Sequence, residues 1–170
     1  LYHRVMQCMD FRRDYKDEAA VSEELQRLVQ AGLLREDAER IVSTRKLLQF
    51  FTGSLGVRMQ KAAREKTLKK EQPFVIGIPY GEVYREEEAQ ENTDYVMVQG
   101  MIDACFEENG ALVLVDYKTD FVKENVQEVL TKRYRTQIDY YERALRQITG
   151  KPVAERIIYA FANGEAFLVY

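Results

Sequence analysis

Asp103, Asp116 and Lys118 are the residues of this 170-residue chain whose types and spacing most plainly support chemistry. They share one stretch, residues 95–120, YVMVQGMIDACFEENGALVLVDYKTD. An Asn-Gly pair at 109 and 110, set between two apolar runs, is the signature of a two-residue type I′ hairpin turn. With that pair as the loop, Glu108 faces Ala111, and counting back along both strands sets Asp103 opposite Asp116, Cβ atoms about 5 Å apart. Two carboxylates so placed repel each other, and something positive belongs between them. Lys118, two residues past Asp116 on the same face, is one candidate. A divalent cation is the other, since a hard ion such as Mg²⁺ takes a few carboxylate oxygens plus waters without a complete protein cage. A lysine beside it can orient or help deprotonate a water, or stabilise charge on a phosphate. The bland alternative is an exposed Asp-Lys pair with both aspartates at loop ends. The apolar run before Asp116 and the facing Asp103 weigh against it.

The elements that must position these residues follow from periodicity. Residues 1–9 carry apolar side chains at 2, 5, 6 and 9, a helical stripe, with His3, the only histidine, at its edge. Apolar spacing predicts helices over 17–31 and 36–51, stopped by Gly32 and Gly53. A further helix over 55–67 carries Arg58, Lys61, Arg64 and Lys66, followed by Lys69 and Lys70; this basic run reads either as a solvated face or as phosphate contact. Residues 71–79 read as a strand with Phe74, Ile76 and Ile78 on one face, entered at Glu71 and closed by Pro79. Residues 81–94 are acidic and polar, a surface loop with a short helical turn and no chemistry of its own. The hairpin supplies strands over 95–106 and 111–118. Helical spacing resumes over 124–133 and 134–148, with Leu130, Tyr134, Ile138, Tyr141, Leu145 and Ile148 as an apolar seam. Gln137 and Tyr141 stand one turn apart and point the same way. Lys132, Arg133 and Arg135 give this helix a basic start near the carboxylate end of the hairpin. Gly150 and Pro152 end it, and 154–162 with 165–170 read as a second hairpin about Asn163-Gly164 by the same turn logic.

Composition narrows the class. With 46% hydrophobic and 31% charged residues the chain suits one globular domain with a full core. A net charge of −3 and a pI near 5.4 provide no global positive field for nucleic acid. An acidic metal site lowers that sum, however, and a piece of a larger machine can leave phosphate contacts to its neighbours. Cys8 and Cys105 form no Cys-x-x-Cys, which excludes a zinc site, an iron-sulfur cluster and a disulfide framework, and suits a reducing cytoplasm. No run approaches the roughly 20 apolar residues of a membrane span, and there is no signal-peptide core. No G-x-x-x-x-G-K-[ST] loop is present, so no ATP site is expected. The non-methionine start suggests a domain excised from a longer polypeptide.

With GMID at 100–103, VDYKTD at 115–120 and QIDYY at 137–141, the chain resembles the nuclease domains of the PD-(D/E)XK superfamily, in its RecB-like branch. Within that branch it is similar to the AddA-type nuclease domains of bacterial AddAB helicase-nucleases. The likeness extends to YHRVMQ at 2–7, KEQPFVIGIP at 70–79, RYRTQIDYYERAL at 133–145 and IIYAFANGE at 157–165. It implies an α+β fold: a central mixed sheet of about five strands flanked by helices, with a helical part over about 1–67 and a catalytic core over about 68–170. It also implies that His3, Asp103 and Asp116 are metal ligands, joined by the main-chain carbonyl of Tyr117, and that Lys118 is the catalytic lysine. Gln137 and Tyr141 match a Gln-x-x-x-Tyr motif that flanks the active site and is associated with DNA. Glu71 falls near the metal without ligating it. The implied activity is a Mg²⁺- or Mn²⁺-dependent deoxyribonuclease, an exonuclease, serving as the module of an ATP-dependent helicase-nuclease in double-strand break repair and recombination. Its implied partners are DNA, single-stranded at the active site, upstream helicase domains and an AddB-like second subunit, in the bacterial cytoplasm and away from membranes. The four cysteines that hold an iron-sulfur cluster in AddB and in the nucleases of CRISPR adaptation are absent here. Two alternatives stand beside this reading: a catalytically silent DNA-binding scaffold, and a stand-alone phage or repair exonuclease.

Overall fold

The computed structural model of the chain describes residues 1–84 and 93–170. Five helices come first: α1 (Tyr2–Cys8), α2 (Glu18–Gln30), α3 (Ala38–Ile41), α4 (Thr44–Thr52) and α5 (Ser54–Arg64). Then follow β1 (Lys69–Pro79), the short α6 (Tyr80–Val83), β2 (Tyr95–Glu108), β3 (Ala111–Lys118), the long α7 (Val126–Thr149), β4 (Val153–Ala160) and β5 (Glu165–Leu168). The strands make one sheet in the order β1-β2-β3-β4-β5, with β3 and β4 parallel and the other neighbours antiparallel. This is the α+β architecture expected, a mixed five-stranded sheet with helices on both faces and a helical region at the N-terminus.

The sequence of β3 explains its central place. Seven of its eight residues are buried, which fits a run of apolar residues with no polar alternation. A parallel neighbour requires a crossover connection, and α7 supplies it. Val113, Val115 and Tyr117 face the N-terminal helices, where they join a core with Leu25, Phe50, Phe51 and Met59. Leu112 and Leu114 face the other way, into a core with Leu130, Ile138 and Leu145 of α7 and with Phe74, Ile76 and Ile78 of β1. One sheet thus serves two cores. The β2–β3 turn is as the Asn-Gly pair predicts: Asn109 (φ 51°) and Gly110 (φ 79°) are both left-handed, the type I′ requirement.

Several expectations need correction. The helix expected over 36–51 is two, because Val42 is extended and Ser43 caps α4 by accepting from the Lys46 amide. Lys66 lies outside α5. It takes a left-handed φ of 61°, and the bonds Lys66 N–H to Ala63 O and Thr67 N–H to Ala62 O close a Schellman motif without glycine. Residues 126–149 form one continuous helix, and Ile148 is 50% exposed rather than part of the seam. The β4–β5 connection is not a second two-residue turn: Ala160 pairs with Glu165, so four residues make the loop and only Gly164 is left-handed. The predicted loop over 81–94 lies partly outside the described residues; what is described begins with α6. Among the described residues no helix is long and apolar enough to cross a membrane.

Candidate active site

The candidate residues meet where the sheet forks. The β2–β3 ladder runs from Glu108↔Ala111 to Ala104↔Val115 and stops there, although the count places Asp103 next in register with Asp116. A regular strand puts residues of the same parity on one face, yet Ile102 joins the core beneath α7 and Ala104 the core beneath the N-terminal helices. The strand therefore turns over at Asp103. Across the β1–β2 ladder, between Lys70↔Ala104 and Gln72↔Ile102, Glu71 sits opposite with a left-handed φ of 52°, a conformation that costs a non-glycine residue about 1 kcal/mol. As β2 leaves, it frees the backbone of Tyr117 on β3. Two side chains take the vacated places. The Tyr117 amide donates to Asp103 Oδ2 at 2.7 Å, and the Tyr117 carbonyl lies 2.9 Å from His3 Nε2. His3 Nε2 is also 3.4 Å from Asp103 Oδ2, so with two oxygens in front of it this nitrogen carries the proton. The Asp103 hydrogen bond is the main reason the His3 pKa stands above 6.5, with burial opposing it.

Asp116 and Lys118 occupy the other face of β3, against α7. Asp116 is 1% exposed and Lys118 8%. Lys118 Nζ lies 2.6 Å from Asp116 Oδ2, but no well-directed hydrogen-bond donor reaches that buried oxygen. Burial pushes the Asp116 carboxyl up to about 6, and the neighbouring ammonium offsets only part of the shift. Lys118 also donates to Gln137 Oε1 at 3.0 Å, and Gln137 Nε2 donates to Tyr141 Oη at 2.6 Å. The two helix positions expected to point together thus form a relay onto the lysine. Burial first, then the charges of Asp116 and Asp103, raise the Tyr141 phenol to about 12. Burial and the Asp103 charge raise the carboxyl pKa of Glu71, which agrees with its nearness to the fork.

Sequence reasoning missed Tyr134. Apolar spacing sets it on the core seam, yet the Lys118 ammonium sits 4.0 Å from its ring centroid, and its hydroxyl donates to Asp120. The available signal is its helical spacing from Gln137 and Tyr141, three and seven residues. The basic run is largely engaged elsewhere: Arg58 binds Glu108 and Glu155, and Lys70 donates to the carbonyls of Met6 and Met9. As for metal ligation, among the described residues no three of His, Cys, Asp and Glu form a preassembled cluster. His3, Asp103 and the Tyr117 carbonyl are together, while Asp116 is paired with Lys118. The donor chemistry nonetheless suits a hard divalent ion: carboxylate and carbonyl oxygens, one imidazole, and a buried carboxylate oxygen lacking a hydrogen bond.

A mixed sheet between helical layers, with an aspartate on one strand and Asp-x-Lys on the next, defines a class of α+β nuclease folds. The family model of the PD-(D/E)XK nuclease superfamily matches residues 1–169, and the chain belongs to that superfamily. It is similar to the AddA-type protein of Lachnoclostridium phytofermentans, named as a subunit of an ATP-dependent helicase/nuclease, with 38% identity over 97% of this chain and 14% of that protein. The proteins of the same name from Thermoanaerobacter pseudethanolicus and Clostridium botulinum are 40% and 37% identical over 95% of this chain, and 13% and 12% of their own lengths. The chain therefore spans only 12% to 14% of the length of these relatives.

Proposed function

We propose that this chain is a divalent-metal-dependent deoxyribonuclease that hydrolyses phosphodiesters, with Mg²⁺ or Mn²⁺ as cofactor and exonucleolytic action on single-stranded DNA. The observation that carries the reading is the fork itself, where His3, Asp103 and the Tyr117 carbonyl converge on one side of β3 and Asp116 with Lys118 on the other. His3, Asp103, Asp116 and the Tyr117 carbonyl would hold the ion, which when bound supplies Lewis-acid polarisation of the phosphodiester and a more acidic attacking water. Lys118 provides positive charge for the phosphate and a site for a proton in transit. Gln137 fixes its ammonium, and Tyr141 fixes Gln137. The names of the relatives support a larger setting: a nuclease module of an ATP-dependent helicase-nuclease in DNA break repair and recombination, working in a bacterial cytoplasm with helicase domains upstream and an AddB-like second subunit.

The test is cleavage of a labelled single-stranded oligonucleotide with Mg²⁺, with Mn²⁺ and with EDTA, beside Asp116→Ala and Lys118→Ala. Metal-dependent cutting that both substitutions abolish is expected. Should nothing be cut, Mn²⁺ calorimetry separates the remaining readings. Binding that needs Asp103 and Asp116 means a competent site awaiting its partner, while no binding returns the chain to a silent scaffold.

A further inference from the structure

Beyond Lys118 the chain passes through Thr119, Asp120, Phe121 and Val122 to Asn125, where α7 begins. This loop is tied down on both sides of Phe121. The Asp120 carboxylate accepts from Tyr134 Oη at 2.9 Å and from Arg133 Nη1 at 2.7 Å. Val122 is buried, and its carbonyl accepts from Asn163 Nδ2 at 3.0 Å. Phe121 between them is 77% exposed. An anchored loop that holds a phenyl ring in water forgoes burial that folding would otherwise gain. Three residues separate the ring from Lys118, at most about 10 Å of chain, the reach of a nucleotide beside the one being cut.

The surroundings select the occupant. Lys123, Lys132 and Arg135 are exposed, and none takes part in the ion pairs of the described residues. Lys132 and Arg135 line a groove of about 810 Å³ that starts at Asn125. Cations of this kind attract a phosphate backbone. An exposed aromatic ring beside them offers a flat face to an unpaired base, the combination that holds single strands without reading sequence. We propose that Phe121 is a stacking platform for the nucleobase adjoining the scissile phosphate of a single DNA strand, a positioning residue whose role rests on the nuclease reading above.

The chain contains no tryptophan, so Phe121→Trp creates a lone fluorophore at the platform. In EDTA, oligothymidylate is expected to quench it, whereas an abasic oligomer of equal length, with the same phosphates and no bases, leaves it bright. Phe121→Ala is expected to weaken single-strand affinity and raise KM about tenfold with kcat within about twofold, and Phe121→Trp to restore both. A fluorophore unmoved by oligothymidylate, or Phe121→Ala with wild-type affinity and KM, overturns the stacking while metal-dependent cutting by the wild type keeps the nuclease reading. A wild-type chain that neither binds nor cuts the strand overturns both.

Discussion

At the scale of single residues, protons compete with function at the fork. His3 holds its proton more tightly than a free imidazole, chiefly through Asp103, and Asp116 is raised to about 6 by burial. Metal affinity should therefore fall with pH from above 6.5, by up to about tenfold per pH unit for each competing proton, and more steeply below about 6. Mn²⁺ calorimetry between pH 7.5 and 5.5 checks this, and constant affinity across that range would remove His3 from the ligand set. Without metal the sign reverses. Both folded pKa values lie above their unfolded ones, so each group stabilises the fold at low pH. The Asp116 contribution is complete below about 3.8 and lost as pH rises through about 6. Urea midpoints should be higher at pH 5 than at pH 7, a difference that Asp116→Asn shrinks. The buried pair itself gives a third expectation: Lys118→Met, by stranding Asp116, should cost roughly 3 kcal/mol, and adding Asp116→Asn should recover most of it. A double variant no more stable than the single would show that Asp116 is not what suffers.

At the scale of elements, the site depends on how α4 and α5 and the two edge strands are set. Gly56 in α5 lets the chain turn tightly after α4: a Cβ there would overlap the Phe50 carbonyl and lie 2.7 Å from Phe51 Cα. Backbone cannot yield as a side-chain tip can. Gly56→Ala should therefore cost about 3 kcal/mol or more, measured by chemical denaturation. A loss under about 0.5 kcal/mol would mean that the two helices slide freely. Legibility differs among these elements. The β2–β3 turn was readable because Asn109 and Gly110 meet a strict local requirement. The break between α3 and α4 was less so, since apolar spacing continues across Val42 and Ser43 and only the cap interrupts it. The β4–β5 loop repeats the Asn-Gly pair, yet Asn163 spends its side chain on the Val122 carbonyl and the turn is longer.

At the scale of the molecule, the sheet is common to both cores, so neither helical layer has a complete interior without it. Unfolding is expected as a single transition. Phe50→Ala in one core and Leu130→Ala in the other should each lower that transition by about 3–5 kcal/mol, with near-ultraviolet and far-ultraviolet circular dichroism moving together. Two separated steps would show instead that the layers unfold independently. The same sharing links His3 to the lysine: α1 is held by Val5 and Met6 in the first core, while Gln137 rides on a helix held by Leu130 and Ile138 in the second.

The sequence by itself determined the hairpin, its register, the Asp-x-Lys strand and the helices that flank them, because each rests on local rules: turn chemistry, apolar period and caps. Composition also excluded cysteine-held metals. It pointed to both aspartates and the lysine, but it set Asp103 on the ladder, facing Asp116. The tertiary structure decided otherwise. The turnover of β2 at Asp103, opposite the left-handed Glu71, opens the fork that lets a helix 114 residues away in sequence place His3 on the Tyr117 carbonyl. It likewise put Lys118 between Asp116, Gln137 and Tyr134. No periodicity encodes these contacts, since they arise only where separately folded faces meet around one buried strand.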